Sequence, residues 1–119
     1  MARRSIVLEE RKQIKIFTNP VRQEMIRLLR LSEVPLTAKD LADRLYLSPA
    51  AVQHHLKKLE EIGVVEVDHH ARAGDMEVTY YRDADVEVQL QMGRNDGFQG
   101  EREALAANLV DGAFRRFLA

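Results

Sequence analysis

Residues 36–67, LTAKDLADRLYLSPAAVQHHLKKLEEIGVVEV, hold two helix starts in close succession, each with its own capping residue. Thr37 and Asp40 form a Thr-x-x-Asp signal, in which each side chain can satisfy an exposed backbone N–H of the first turn. Ala38, Leu41, Ala42 and Leu45 then recur at helical spacing and give a short helix one buried stripe. Tyr46, Leu47 and Ser48 form a turn. Ser48-Pro49 opens the next helix with a cap and a proline at the first helical position. That helix reads to about Ile62 and stops at Gly63, the residue type that ends a helix in a left-handed conformation. Beyond Gly63 the apolar period changes from 3.6 to 2, with Val65 and Val67 alternating with Glu66 and Asp68. Such a segment cannot continue as one long helix. It must set two short helices across a tight corner and then enter a strand.

The flanking sequence extends this pattern. Ser5 to Phe17 reads as a helix capped by Ser5, with Ile6, Ile14 and Phe17 near one face, although its stripe is weak. Thr18-Asn19-Pro20 stops it, and Asn19 and Pro20 start another helix. Val21, Met25, Leu28 and Leu29 share one face there. Arg22 lies at the edge of that face, and Gln23, Arg27 and Arg30 lie opposite. The segment 32–35, SEVP, is a break. After Val67, the segment 69–75, HHARAGD, is a polar tip. MEVTYYR, 76–82, resumes strand character with Val78 and Tyr80 on one face. The two strands read as a hairpin whose tip is too long for a tight two-residue turn. Val86, Val88, Leu90 and Met92 alternate and predict a third strand. A glycine-bounded loop over 93–100 follows, and then a final helix over 101–118. The apolar arc of that helix, Leu105, Ala106, Leu109, Val110, Ala113, Phe114 and Phe117, is wide enough to meet two surfaces: one in its own chain and one in a second copy.

Composition bounds the chemistry. The chain has 119 residues, 45% of them apolar, with no Trp and no Cys. One small aliphatic core is expected, and disulfides, thiolate catalysis and cysteine-based zinc sites are excluded. The opening MARRSIVLEERKQ lacks the apolar run of a signal peptide, and no stretch is long and apolar enough to span a membrane, so a cytoplasmic location is the default expectation. The formal net charge of −1 conceals an asymmetry. Residues 1–30 carry eight Lys/Arg against three Asp/Glu, whereas residues 60–103 carry four against twelve. A basic end of this kind suits a polyanion or is simply a solvated helix face. No nucleophile–base pair, phosphate loop or paired-carboxylate signature occurs, so no catalytic residue and no cofactor are expected.

Two helices joined by a short turn and followed by a hairpin describe a winged helix-turn-helix: a mainly α chain with a small β-sheet. A slim, capped helix can enter the DNA major groove, about 12 Å wide. The helix before it braces it against the backbone, and the hairpin tip can reach phosphate or the minor groove. TNPVRQEMIRLL, LTAKDLADRLYLSPAAVQHHLKKLEEIGVVE and VTYYR resemble the ArsR-type winged helix-turn-helix regulators over roughly Phe17 to Arg82. LSPAAVQHHLKKLEEIGVV is the most specific part. The resemblance implies a homodimeric prokaryotic transcription regulator, usually a repressor, whose terminal helices form the dimer interface. The implied organisation is an N-terminal dimerisation arm over 1–16, the DNA-binding unit over 17–84, and an extra strand, loop and dimerisation helix over 85–119. Metal-sensing members of that family use Cys, or His and carboxylates on the terminal helices. Here Cys is absent and the last helix has no His, so no metal site is expected.

On a helical wheel, Val52, Leu56 and Leu59 share an arc that includes His55, while Ala50, Gln53, His54 and Lys57 lie opposite. His54 and His55 therefore point apart and cannot chelate one ion, which would need a spacing of three or four on a helix. His55 reads as a packing histidine with local partners, and the resemblance implies the same role. The DNA-contact candidates are Thr37 and Ser48 at helix N-termini, Pro49, Ala50 and Ala51 at the slim tip, Gln53 and His54 as base readers, and Lys57 toward phosphate. In the wing the candidates are His69, His70, Arg72 and the Ala73-Gly74 tip, with Arg72 the strongest. Tyr46 belongs either to a phosphate contact or to the rim of the core, and Arg82 either to the fold or to phosphate. The dimerisation candidates are Ile6, Ile14, Leu105, Leu109, Ala113 and Phe117. The expected partners are double-stranded DNA and a second copy of the chain, with room for a small-molecule effector and no membrane. Two alternatives stand beside this reading: a winged-helix module for protein contacts alone, which the acidic wing would suit, and the DNA-binding fragment of a longer sensor.

Overall fold

The structure, a computed structural model, describes residues 3–91. The elements run β1 (Arg4–Leu8), α1 (Arg11–Thr18), α2 (Pro20–Leu31), β2 (Leu36–Thr37), α3 (Ala38–Leu45), α4 (Pro49–Glu61), β3 (Val65–Ala73), β4 (Met76–Asp83) and β5 (Val86–Leu90). The expected final helix, with Leu105, Leu109, Ala113 and Phe117, and the end of the third predicted strand at Met92 lie outside the described residues. No helix among the described residues is long and apolar enough to cross a membrane.

The starts of α2, α3 and α4 fall where their capping residues stand. Asn19 Oδ1 accepts from the backbone N–H groups of Val21 and Arg22, at 2.9 and 3.2 Å. Thr37 Oγ1 accepts from Asp40 N at 3.0 Å, while Asp40 Oδ2 accepts from Thr37 N at 2.9 Å, closing the reciprocal box. Ser48 Oγ accepts from Ala51 N at 3.1 Å. Gly63, at φ +84, ends α4 in the left-handed region where a side chain is disfavoured. Each of these ends is set by bonds between neighbours in sequence, which is why the sequence alone predicts them.

One hydrophobic core collects the buried faces. Met25, Ile26 and Leu29 of α2, Leu41 and Ala42 of α3, and Val52, Leu56 and Leu59 of α4 meet Val64, Val65 and Tyr81. Leu8, Ile14, Ile16 and Val86 join the same cluster, so the segments on both sides of the helix-turn-helix pack into it.

Three features differ from the sequence expectations. Residues 4–8 form a strand, not the start of a helix, and Ser5 lies within it rather than capping anything. Ile6 and Val7 are β-branched and suit a strand. Ile6 and Leu8 alternate with exposed Ser5 and Val7, and β1 pairs in parallel with β5 from Arg4↔Val86 to Leu8↔Leu90. The segment 86–90 is the expected strand, but it joins β1 in a separate two-stranded sheet and does not extend the hairpin. Finally, the hairpin turn is tight. Ala73 pairs with Met76 across Gly74-Asp75, and Gly74 has φ +65 at the first central position, as a type II′ turn requires. His69, His70 and Arg72 therefore lie in a paired strand and not in a loop. The polar composition of 69–75 suggested a loop, but cross-strand partners keep a polar exposed strand paired.

The second sheet has the order β2-β4-β3. Its register shifts between Val67 and His69, leaving Asp68 as a bulge. Before the bulge Val67 lies opposite buried Tyr81; after it, His69 lies opposite Tyr80. One extra residue thus moves the odd-numbered side chains of β3 from the core face to the opposite face.

Candidate nucleic-acid interface

Helix α4 is held from below. Val52, Leu56 and Leu59 are fully buried, while Pro49, Ala50, His54 and Lys57 on the other side are exposed. No acidic residue occupies its first turn. Serine and threonine caps keep a hydroxyl hydrogen free to donate when their oxygen accepts from the backbone, so Ser48 and Thr37 can cap their helices and still meet an anionic oxygen. Lys57 has no ionic partner among the described residues.

Tyr46 ends α3 with φ 57, in the left-handed region uncommon for an aromatic residue. That backbone turns the ring outward, and the residue is 94% exposed at the corner before α4. Of the two roles left open for Tyr46, the core rim is thereby excluded.

Gln53 is placed differently from a free base reader. Its Nε2 donates to Tyr81 Oη at 2.9 Å, tying α4 to β4. Its second Nε2 hydrogen and Oε1 remain for a base edge, but the tie to Tyr81 restricts where the amide can reach. His55 turns back toward the domain. Arg22 Nε donates to its Nδ1 at 3.0 Å, and because a guanidinium never accepts, the His55 ring hydrogen sits on Nε2. Arg22 also reaches Ile16 O at 3.5 Å. The His54 and His55 rings meet edge to face, with centroids 5.8 Å apart.

Partial burial, then the charge of Arg22, then His54 hold the His55 pKa below the ordinary value of 6.5. The folded chain therefore takes up this proton less readily than the unfolded chain does. The stability contributed by neutral His55 is complete above pH about 6.5 and is lost as the pH falls below it. Protonation would also remove the acceptor that Arg22 uses. We expect the urea midpoint of the wild type to fall more between pH about 7.5 and about 5.5 than that of His55→Gln. Equal falls in the two proteins would show that His55 has no part in the acid response.

In the wing, the histidines face opposite sides of β3 and have separate partners. His69 Nδ1 lies 2.6 Å from Asp68 Oδ2, and its ring stacks on Tyr80 at 4.5 Å. His70 Nδ1 lies 3.0 Å from Thr79 Oγ1 and 3.2 Å from Glu77 Oε1. No group of three or more His, Cys, Asp or Glu among the described residues is placed to hold a metal ion. Arg82 donates to Glu66 at 2.9 Å and to Asp68 at 3.1 Å, and both carboxylates raise its pKa. The hydrogen bond with His69 is the main cause holding Asp68 low, and Arg82 adds to it. Arg82 therefore braces the hairpin. Arg72 stays exposed opposite Glu77, near Gly74 and exposed Met76 at the tip.

Of the dimerisation candidates among the described residues, Ile14 is only 2% exposed within the single chain, and Ile6 packs against the same core from β1. Ile14 thus has almost no side-chain surface left for a partner. The sequence reading did not anticipate the Gln53–Tyr81 bridge, which joins residues 28 apart, or a group of cations from α1, α2 and α4 around one cleft. The basic excess of residues 1–30 was the available signal for the second.

Residues 17–68 match a family model described as a helix-turn-helix domain. The crystal structure of a possible transcriptional regulatory protein from Mycobacterium bovis, fragment 1–100, superposes with a TM-score of 0.51 at 20% identity, covering 84% of this chain and 88% of that one. A solution structure from the same organism, described as the homodimeric winged helix-turn-helix DNA-binding domain of a possible ArsR-family transcriptional regulator, gives 0.50 at 20% identity, with 84% and 76% covered. Reduced HlyU from Vibrio cholerae gives 0.48 at 20% identity, with 81% and 83% covered. Comparison with curated proteins gives no match.

Proposed function

From a chain that carries a helix-turn-helix domain over residues 17–68 in an ArsR-like winged fold, we propose a sequence-specific DNA-binding transcription regulator that acts as a homodimeric repressor in the cytoplasm. The observation that carries this reading is α4. Its buried face is locked into the core, and its opposite face presents the slim Pro49-Ala50 tip, His54 and Lys57 to solvent. In this reading α4 enters the major groove. His54 reads base edges, Ala50 and Ala51 allow close approach to thymine methyl groups, and Lys57 and the Ser48 and Thr37 hydroxyls meet phosphate. Tyr46 adds a phosphate contact at the corner. Arg72 and Gly74 follow the backbone or minor groove from the wing. Gln53 reads a base with its second amide hydrogen and Oε1 while Tyr81 holds the first.

A single α4 with two lysines would bind weakly. A dimer joined through Ile6 and the C-terminal residues Leu105, Leu109, Ala113 and Phe117 would place two such helices on half-sites about 34 Å apart. The experiment is selection of duplexes by the full chain, followed by anisotropy titrations across salt. Affinity for the selected duplex should exceed that for random duplex and fall as salt rises. His54→Ala should weaken the selected duplex by about 1–3 kcal/mol and leave random duplex nearly unchanged. If no duplex is preferred at any salt, the protein-interaction reading replaces this one.

A further inference from the structure

A cleft of about 530 Å³ opens beside α4, lined by Arg11, Lys12, Lys15 and Ile16 of α1, Arg22 of α2 and Lys58 of α4. Its volume falls within the roughly 300–1,000 Å³ range of small-ligand sites. Five of the six lining residues are cations and none is a carboxylate. Lys58 Nζ lies 4.0 Å from Glu61 Oε2. Lys12 and Lys15 are exposed and have no ionic partner among the described residues. Arg22 is tethered through Nε to His55 and through Nη1 to Ile16 O, which leaves Nη2 without a bond among the described residues. Gathering like charges around one concavity costs energy that a bound anion recovers. The desolvation that lowers the Arg22 pKa adds to that cost.

We propose that this cleft is an effector site for a small multivalent oxyanion of the phosphate-monoester or diphosphate class, seated by Lys12, Lys15, Arg22 and Lys58. The ligand is a small molecule and not a stretch of duplex. The lining comes from three helices, with Arg22 partly buried among them, which suits a terminal phosphate group. Lys58 lies one turn beyond His54 on α4 and lines the cleft together with Arg11, Lys12 and Lys15 of α1. Arg22 provides a link to α4: its guanidinium holds His55, the neighbour of His54 on α4. A phosphate that draws on Arg22 would compete with the Arg22–His55 contact.

The test is calorimetric titration of the full chain with inorganic pyrophosphate at constant ionic strength, alongside the Lys12→Gln/Lys15→Gln double variant and a Lys39→Gln control. Lys39 is an exposed lysine paired with Asp43 elsewhere on the surface. Saturable binding should appear, weaken by about tenfold or more in the double variant, and persist in the control. Both lysines of the double variant are exposed, so folding should hold, and circular dichroism checks it. Affinity for duplex and its salt slope should be unchanged by the double substitution. Three outcomes overturn the proposal: no saturable uptake, equal affinity in wild type and double variant, or a salt slope for DNA lowered by about two, which would make the cleft a duplex-backbone contact. The pyrophosphate arm needs no DNA, so its failure is distinct from failure of the DNA-binding reading.

Discussion

Leu56→Ala should destabilise the chain by about 2–5 kcal/mol, read as a lower urea midpoint. Leu56 is fully buried at the middle of α4, in the same cluster as Leu41 and Ala42 of α3, Met25 and Leu29 of α2, and Val64 and Val65 leading into the wing. Removing three side-chain carbons there loses their transfer free energy and leaves a cavity that four elements would have to collapse together to fill. A small domain holds only about 5–15 kcal/mol of stability, so this one change approaches the limit of what the fold tolerates. Lys57→Ala, one residue away on the exposed face, should move the midpoint little. Comparable losses at the two positions would mean that the phase of α4 is misassigned.

Lys57→Glu should lower affinity for duplex by about ten- to a hundredfold at 0.1 M salt, with little change in stability. Each phosphate contact releases roughly 0.9 of a counterion, which at 0.1 M is worth about a factor of eight. Reversing the charge removes that release and adds repulsion of similar size, which multiplies to about sixtyfold. Because phosphate carries no sequence, the loss should be similar on selected and random duplex, and the salt slope should flatten. His54→Ala should show the opposite signature, with selectivity reduced and the salt slope kept. If Lys57→Glu leaves the salt dependence untouched, α4 does not lie against a phosphate backbone.

Much of the helix-turn-helix was legible because its instructions are local. Asn19, Thr37, Ser48 and Gly63 act on backbone groups within a turn of themselves, and the stripes of α2, α3 and α4 follow from spacing alone. The opposite orientations of His54 and His55 were legible for the same reason, since consecutive helical residues diverge by about 100° whatever surrounds them. The Asp68 bulge, by contrast, has no signature in a run of alternating residues. Without it the facing of His69 and His70 and the tightness of the Gly74-Asp75 turn could not be read.

From its sequence alone, this protein determined where α2, α3 and α4 begin, which face of each is apolar, and that a corner and a hairpin follow one another. Those choices rest on interactions between near neighbours. Only the tertiary structure decided that residues 4–8 are a strand, because their partner is Val86–Leu90, about eighty residues away. It also decided that Gln53 is held by Tyr81 and that Arg22 holds His55. The same holds for the cations of three helices around one cleft, which become neighbours only when the core closes. Strand pairing, side-chain bridges and charge clusters depend on which distant segments meet, and that is fixed by packing the whole chain.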